Sequence, residues 1–362
     1  MTTSEFDSYR PPEPPRKKRK KKGRRRGPGR TDGSAEMMMV PDVEFDSYYG
    51  RPVVKAPPWE SPIGIYLFLG GIAGGSSLLG LGAQLTGREQ LRRNSRLSAI
   101  TAAGAGSVAL IADLGRPERF LNMFRVFKLS SPMNLGSWLL GAFSLSAAIA
   151  AAPEADRLTG RRLPLPKWLR RTLDRAAAPA GATSAAFGAP LAVYTAVLLS
   201  DTSVPTWNEA KDHLPFVFAS SAGLASGGLA MITTPVQEAG PARALAVGGA
   251  VADIAATKIM EKQMNQVAAE PLHQGLPGQL LKWSERLVVA GGVGALLGGR
   301  SRLVSVLSGA ALLTGSAFTR FGILHAGLES VKDPRYAVEP QRQRLAARRG
   351  QGQTGDAITT AR

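Results

Sequence analysis

About eight apolar stretches fill the interval from Ile63 to Leu328, and nothing else in the chain constrains its fold as tightly. They lie near Ile63 to Thr86, Leu97 to Leu114, Asn134 to Ala152, Thr183 to Ser200, Phe216 to Thr234, Ala242 to Thr257, Arg286 to Gly298 and Leu303 to Leu328. Most run roughly 16 to 22 residues, close to the ~20 that cross ~30 Å of hydrocarbon at the rise of an α-helix. A soluble helical protein would carry a polar face along each helix, and these do not. Small residues recur at helical spacing in GGIAGGSSLLGLG (Gly70 to Gly82) and GGVGALLGG (Gly291 to Gly299), which lets backbones approach closely where water drives no association. The expectation is an all-α integral membrane protein, a bundle of about eight transmembrane helices over residues 63–330. The sixth stretch contains Asp253 and the seventh is short and glycine-rich, so these two fit the pattern least.

The charges lie mostly outside that interval. The net charge of +18 owes much to RKKRKKKGRRR (Arg16 to Arg26), and the end of the chain is again polar and basic. A block of like charge cannot bury enough surface to fold, so residues 1–45 read as a disordered polybasic tail. Residues 46–62 read as an ordered approach to the membrane and 331–362 as a polar C-terminal tail. The tail has no apolar core of a cleaved signal. Ahead of a span, its charge suits the anionic inner leaflet of a lipid bilayer better than nucleic acid. That places both termini in the cytoplasm, in a multi-pass protein of the cell membrane. The basic segments Arg88 to Arg96 and Arg157 to Arg175, read as short loops on the other side, argue the opposite by the positive-inside rule. EFDSY occurs twice, at Glu5 to Tyr9 and Glu44 to Tyr48, with no mechanism that needs both copies.

The chain has no cysteine, which excludes a disulfide, a thiolate metal site and an iron–sulfur cluster of its own. Of its three histidines, His213 and His273 fall in connecting segments, poorly placed to hold a haem between facing spans. No haem and no metal are expected here. Any electron carrier must come from outside.

The second apolar stretch ends in DLGRPERFLNMFRVFK (Asp113 to Lys128). Pro117 suits the first turn of a helix. Phe120, Met123, Phe124 and Phe127 then recur at i, i+3, i+4 and i+7 while Arg119, Asn122 and Arg125 fall elsewhere, the pattern of a helix lying in the interface. Arg116 could simply snorkel to headgroups. Asp113, one turn inside the boundary, is costly unless paired or wetted.

The longer segment DLGRPERFLNMFRVFKLSSPMNLGSW (Asp113 to Trp138) resembles the NrfD/polysulfide reductase membrane-subunit family, in which an Asp-Leu-Gly-Arg-Pro box ends the second helix and Ser-Pro-Met…Gly-Ser-Trp opens the third. In register with it, YYGRPVVK…PPW (Tyr48 to Trp59), YLFLGGIAGGSSLL (Tyr66 to Leu79), GAPLAVYTAVLLS (Gly188 to Ser200) and ESVKDPRYAVEPQR (Glu329 to Arg342) resemble other family segments. The resemblance implies a membrane subunit without redox cofactors that exchanges electrons between quinone, with menaquinone expected, and a four-cluster ferredoxin-like iron–sulfur subunit. That subunit in turn serves a molybdopterin catalytic subunit, such as a formate dehydrogenase.

The resemblance further implies that Tyr66 and Tyr194 face the quinone head, although relatives often carry histidine at the first position. Asp113 is expected as proton relay or head-group ligand, with Arg116 orienting it; a structural Asp–Arg clasp is the alternative. Asp253, with Lys258 five residues on, reads as a buried pair or part of a proton path, and Asp201 as a proton exit. Arg119, Arg125 and His213 are expected to dock the partner, and Trp207 to lie in a surface loop beside His213. Arg320, His325 and Glu329 read as a helix end meeting headgroups. A secondary transporter and a non-catalytic membrane anchor are the rival readings.

Overall fold

A computed structural model describes residues 53–350 apart from 129 and 300, and for 349 and 350 the backbone alone. The polybasic run, both copies of EFDSY and Tyr48 lie outside the described residues. Long helices dominate: α1 (Ser61–Leu85), α2 (Glu89–Asp113), α3 (Pro132–Leu158), α4 (Lys167–Ser200), α6 (Leu214–Thr233), α7 (Gly240–Gln263), α9 (Gly275–Leu297) and α10 (Arg302–Lys332). Between them sit a 3-10 helix (Pro117–Phe124), the short α5 (Pro205–Glu209) and α8 (Gln266–His273), and α11 (Arg335–Gly350) follows. No strand occurs among the described residues.

Six of these helices, α1, α2, α3, α4, α6 and α10, are long and apolar enough to cross a membrane. The two that fall short in apolarity are α7 and α9, the same two that fit the sequence pattern least. At 24 and 23 residues they are long enough to span. Asp253, Lys258 and Glu261 in α7, and Lys282, Glu285 and Arg286 in α9, account for their polarity. The molecule is thus a multi-pass helical membrane protein.

Successive long helices run antiparallel, so the bundle has two faces. The near face holds the start of α1, the ends of α2, α4, α7 and α10, the 3-10 helix, α5, α8 and α11. The far face holds the opposite ends.

α1 is the central element and packs on α2, α4 and α6. A Cβ at Gly74 would run into the Gly188 carbonyl of α4, and one at Gly75 into Ser226 of α6, so glycine sets the crossing distance. Deeper in the bundle, Ser221 and Ser316 share a 2.7 Å hydrogen bond between α6 and α10, and Ser284 and Thr319 another of 2.7 Å between α9 and α10. In a bilayer such bonds contribute about 0.6 kcal/mol each.

Two expectations need correction here. The basic segments of the far face lie largely in helix ends rather than loops, since α2 begins at Glu89, α3 runs to Leu158 and α4 begins at Lys167, leaving Arg88 and residues 159–166 between helices. Arg96 is buried, and its Nη1 donates to Glu154 Oε1 at 3.0 Å while Nη2 donates to Gln84 Oε1 at 2.6 Å and to the Ala177 carbonyl at 3.0 Å. Arg92 and Arg157 share the same carboxylate, and Arg170 pairs with Asp156. Trp207 is fully buried rather than in a surface loop, because its indole Nε1 needs the Ile323 carbonyl, to which it donates at 2.7 Å. Residues 335–350 of the C-terminal segment are helical: Arg335 of α11 pairs with Glu270 of α8, and Arg344 with Glu209 of α5.

Candidate functional site

The residues that end α2 and open α3 are tied together by one side chain. Asn134 Nδ2 donates to the carbonyls of Met123 and Val126 at 3.2 and 2.8 Å, and its Oδ1 accepts from the Lys128 amide at 2.7 Å. Trp138 Nε1 donates to the Val126 carbonyl at 3.2 Å, while Phe124 and Phe127 pack edge-on against its ring. Ser131 caps α3, and Pro132 occupies its first turn. The expected interfacial helix is shorter than its periodicity suggests: a 3-10 helix stops at Phe124, and the chain from Arg125 to Lys128 turns back to satisfy Asn134. Leu121, Val126, Phe127 and Met133 stay exposed, as a lipid-facing segment requires.

Beneath this cap stand two tyrosines. Tyr66, in the second turn of α1, is buried against Gly106 of α2. Tyr194, near the end of α4, lies over Gly136 of α3, where a Cβ would overlap its ring. The two phenols come within electrostatic reach of one another. Neither hydroxyl has a hydrogen-bond partner among the described residues. The surroundings of Tyr66 are apolar, with Ile72, Leu140, Phe143 and Leu191 in the same cluster.

Asp113 is the last residue of α2 and is half-buried at the near face. Its carboxylate faces the backbone amide and the side chain of Glu60, the residue that caps α1. Arg116 caps the 3-10 helix, is exposed, and forms no ion pair with Asp113. Arg119 and Arg125 are exposed on the same face, His213 caps α6 half-buried there, and Asp201 caps α4, exposed. The near face therefore gathers Tyr66, Tyr194, Asp113, Arg116, Arg119, Arg125, Asp201 and His213.

Asp253 stands apart. It is buried in α7, and its partners are Arg320 of α10 and Ser220 of α6, with Ser220 Oγ 3.5 Å from Asp253 Oδ1. Lys258 instead pairs with Glu285 at 3.0 Å, because five residues carry it round to the α9 side of the helix. Arg320 is not at a helix end meeting headgroups. It is 1 % exposed, donates to the Phe218 carbonyl at 2.7 Å and lies 3.8 Å over the Phe218 ring. His325 stacks on Phe321, and Glu329 pairs with Lys332.

Sequence reasoning missed Glu60, Asn134 and the depth of Arg320. The last had a signal: Arg320 follows eighteen residues of α10 and precedes a further largely apolar helical run, so it lies about 18 Å from the end of that helix. Glu60 and Asn134 had none, since their partners are distant or backbone atoms. Among the described residues no group of His, Cys, Asp and Glu could hold a metal ion.

No curated protein matches the chain. The profile of the family described as polysulphide reductase, NrfD matches residues 53–245, more than half of the 362 residues, and spans α1 to the start of α7 with the capped α2–α3 junction and both tyrosines. With that match the chain belongs to the NrfD family of polysulphide reductase membrane proteins, which serve as quinone-interacting subunits of oxidoreductase complexes.

Proposed function

We propose that the near-face cluster of α1 to α4 binds a quinone, menaquinone by expectation, and passes two electrons between it and a docked iron–sulfur subunit. The observation that carries this reading is the pair of unpartnered phenols from α1 and α4, the first in an apolar surround. A quinone ring needs such a surround, with a few donors at its head. Tyr66 and Tyr194 donate to its carbonyl oxygens.

Reduction of quinone to quinol takes up two protons with the two electrons. Asp113, at the wet edge of the site and facing Glu60, relays them, and Asp201 at the end of α4 offers an exit to water. Arg116 orients the head-group region from the rim. Arg119, Arg125 and His213 present positive or donor groups to the partner, a four-cluster ferredoxin-like subunit that connects to a molybdopterin enzyme such as a formate dehydrogenase. The charge of the polybasic tail, suited to an anionic inner leaflet, supports a cytoplasmic side of the cell membrane for this face.

The test is menaquinol-dependent reduction of the clusters in the purified assembly. Tyr194→Phe and Asp113→Asn are each expected to lower the rate by about 10²-fold, the scale of a lost acid–base group. Full rates in both variants would reject these site residues, and an assembly whose clusters stay oxidised with menaquinol would leave the chain as an anchor.

A further inference from the structure

The half of the bundle beyond the matched residues carries a second polar feature. A cavity of about 210 Å³ opens between α7, α8 and α9. Of its lining, His273 at the end of α8 and Glu261, two residues from the end of α7, lie towards the near face, and Asp253 and Thr319 lie deepest. Asp253 lies ten residues from the end of α7, about 15 Å into the bundle. Beyond it towards the far face the packing is closed by Ala250, Leu224, Val288 and Leu312.

An acid at that depth is costly unless compensated, and its compensation is unusual. Arg320, the opposing charge, is itself buried, and its Nε and Nη1 have no hydrogen-bond partner. Of the other charged groups around the cavity, Lys258 pairs with Glu285, Glu261 lies within electrostatic reach of His273, and Lys282 forms no ion pair among the described residues. Ser220 is the remaining polar neighbour of Asp253 from α6, and Ser284 lines the cavity from α9 while bonded to α10. A 4 % exposed carboxylate thus sits between a buried guanidinium and a polar cavity roomy enough for several waters.

We propose that this cavity is a water-filled half-channel that exchanges protons between the near face and Asp253, with Arg320 as its fixed counter-charge. In the step itself a hydronium ion gives its proton to the Asp253 carboxylate, leaving water and a neutral acid, and Arg320 is left without its counter-ion. A side chain at Gly71 of α1, five residues from Tyr66, would meet Arg320 Nη2, so the freed charge faces the helix that carries the first tyrosine. The half-channel needs no quinone and lies outside the residues that define the family.

The cysteine-free chain permits a direct test. Single variants Ile254→Cys, Thr257→Cys and His273→Cys are placed in the full chain in membrane vesicles and exposed to a charged, membrane-impermeant methanethiosulfonate from each side. Thr257→Cys and Ile254→Cys are expected to react within about tenfold of the rate at the mouth position His273→Cys, and from the same side only. Lipid-facing Val251→Cys, 65 % exposed, is the unreactive control. If Ile254→Cys and Thr257→Cys react no faster than that control while His273→Cys reacts, there is no channel. Protonation is read separately by infrared spectroscopy, as a carboxyl band that grows at low pH and is absent from Asp253→Asn. Identical titrations in both proteins overturn the assignment. Should Asp253→Asn fail to accumulate, Thr257→Phe fills the passage and leaves Asp253 and Arg320 both in place; it is expected to slow hydrogen–deuterium exchange of the band, and unchanged exchange overturns the proposal. Neither readout involves quinone, so failure here leaves the near-face reading standing.

Discussion

The ring of Tyr194 fills the space that a side chain at Gly136 would need, so one helix supplies the tyrosine and its neighbour supplies the gap. Gly136→Ala must push the phenol away from its place beside Tyr66. The expected outcome is a loss of quinol-dependent cluster reduction comparable to that of Tyr194→Phe, with the chain still present in the membrane at normal amounts. Immunoblotting alongside the rate assay separates the two effects. Wild-type rates in Gly136→Ala would remove Tyr194 from the site.

Glu154 holds three arginines at the far face, and only Arg96 among them is buried. Glu154→Gln strands that guanidinium. The cost of an unpaired buried charge is about 3 to 5 kcal/mol. Thermal unfolding in detergent should therefore shift down markedly for Glu154→Gln, and the double variant Arg96→Met, Glu154→Gln should recover much of the loss. Equal melting of the single and double variants would mean that Arg96 is solvated.

Trp207 loses its hydrogen bond to the Ile323 carbonyl in Trp207→Phe, at a cost of about 1 to 3 kcal/mol for a buried acceptor left unpaired. Gly327→Val should do more, because the indole lies where that side chain must go. The ranking, wild type above Trp207→Phe above Gly327→Val, is checked by the same unfolding assay.

Arg335→Ala gives the contrasting case. Its pair with Glu270 is partly exposed on both sides, and such pairs contribute about 0 to 1 kcal/mol. Global melting should barely move. Limited proteolysis should cut α11 sooner, since this pair is one of its few tethers to α8.

What could be read from the residues divides by range. The spans follow from local composition, and even the two weak ones, α7 and α9, declared themselves through Asp253 and a glycine-rich run. The Asp113 to Trp138 segment was legible as a boundary because proline, charge and aromatic periodicity are local signals. Pairing was not. Whether Asp253 meets Lys258 on its own helix or Arg320 on another depends on which face each helix turns to its neighbours, and an α-helix with polar groups on several sides leaves that open. Arg96 read as a loop residue for a similar reason: its partners, Glu154 and Gln84, belong to two other helices. Trp207 read as surface because its neighbours in sequence are polar, although its partner in space is the last span.

The stacking of Trp59 on Trp207, 5.6 Å between ring centres, fastens the strand of chain ahead of α1 to a socket walled by Gly327 and Ile323 of α10. During synthesis the first of these elements leaves the ribosome some 260 residues before the last. The lid over that corner of the bundle can therefore close only after the final helix has inserted, and a chain cut short before α10 would keep its opening segment unlatched for quality-control proteases to find.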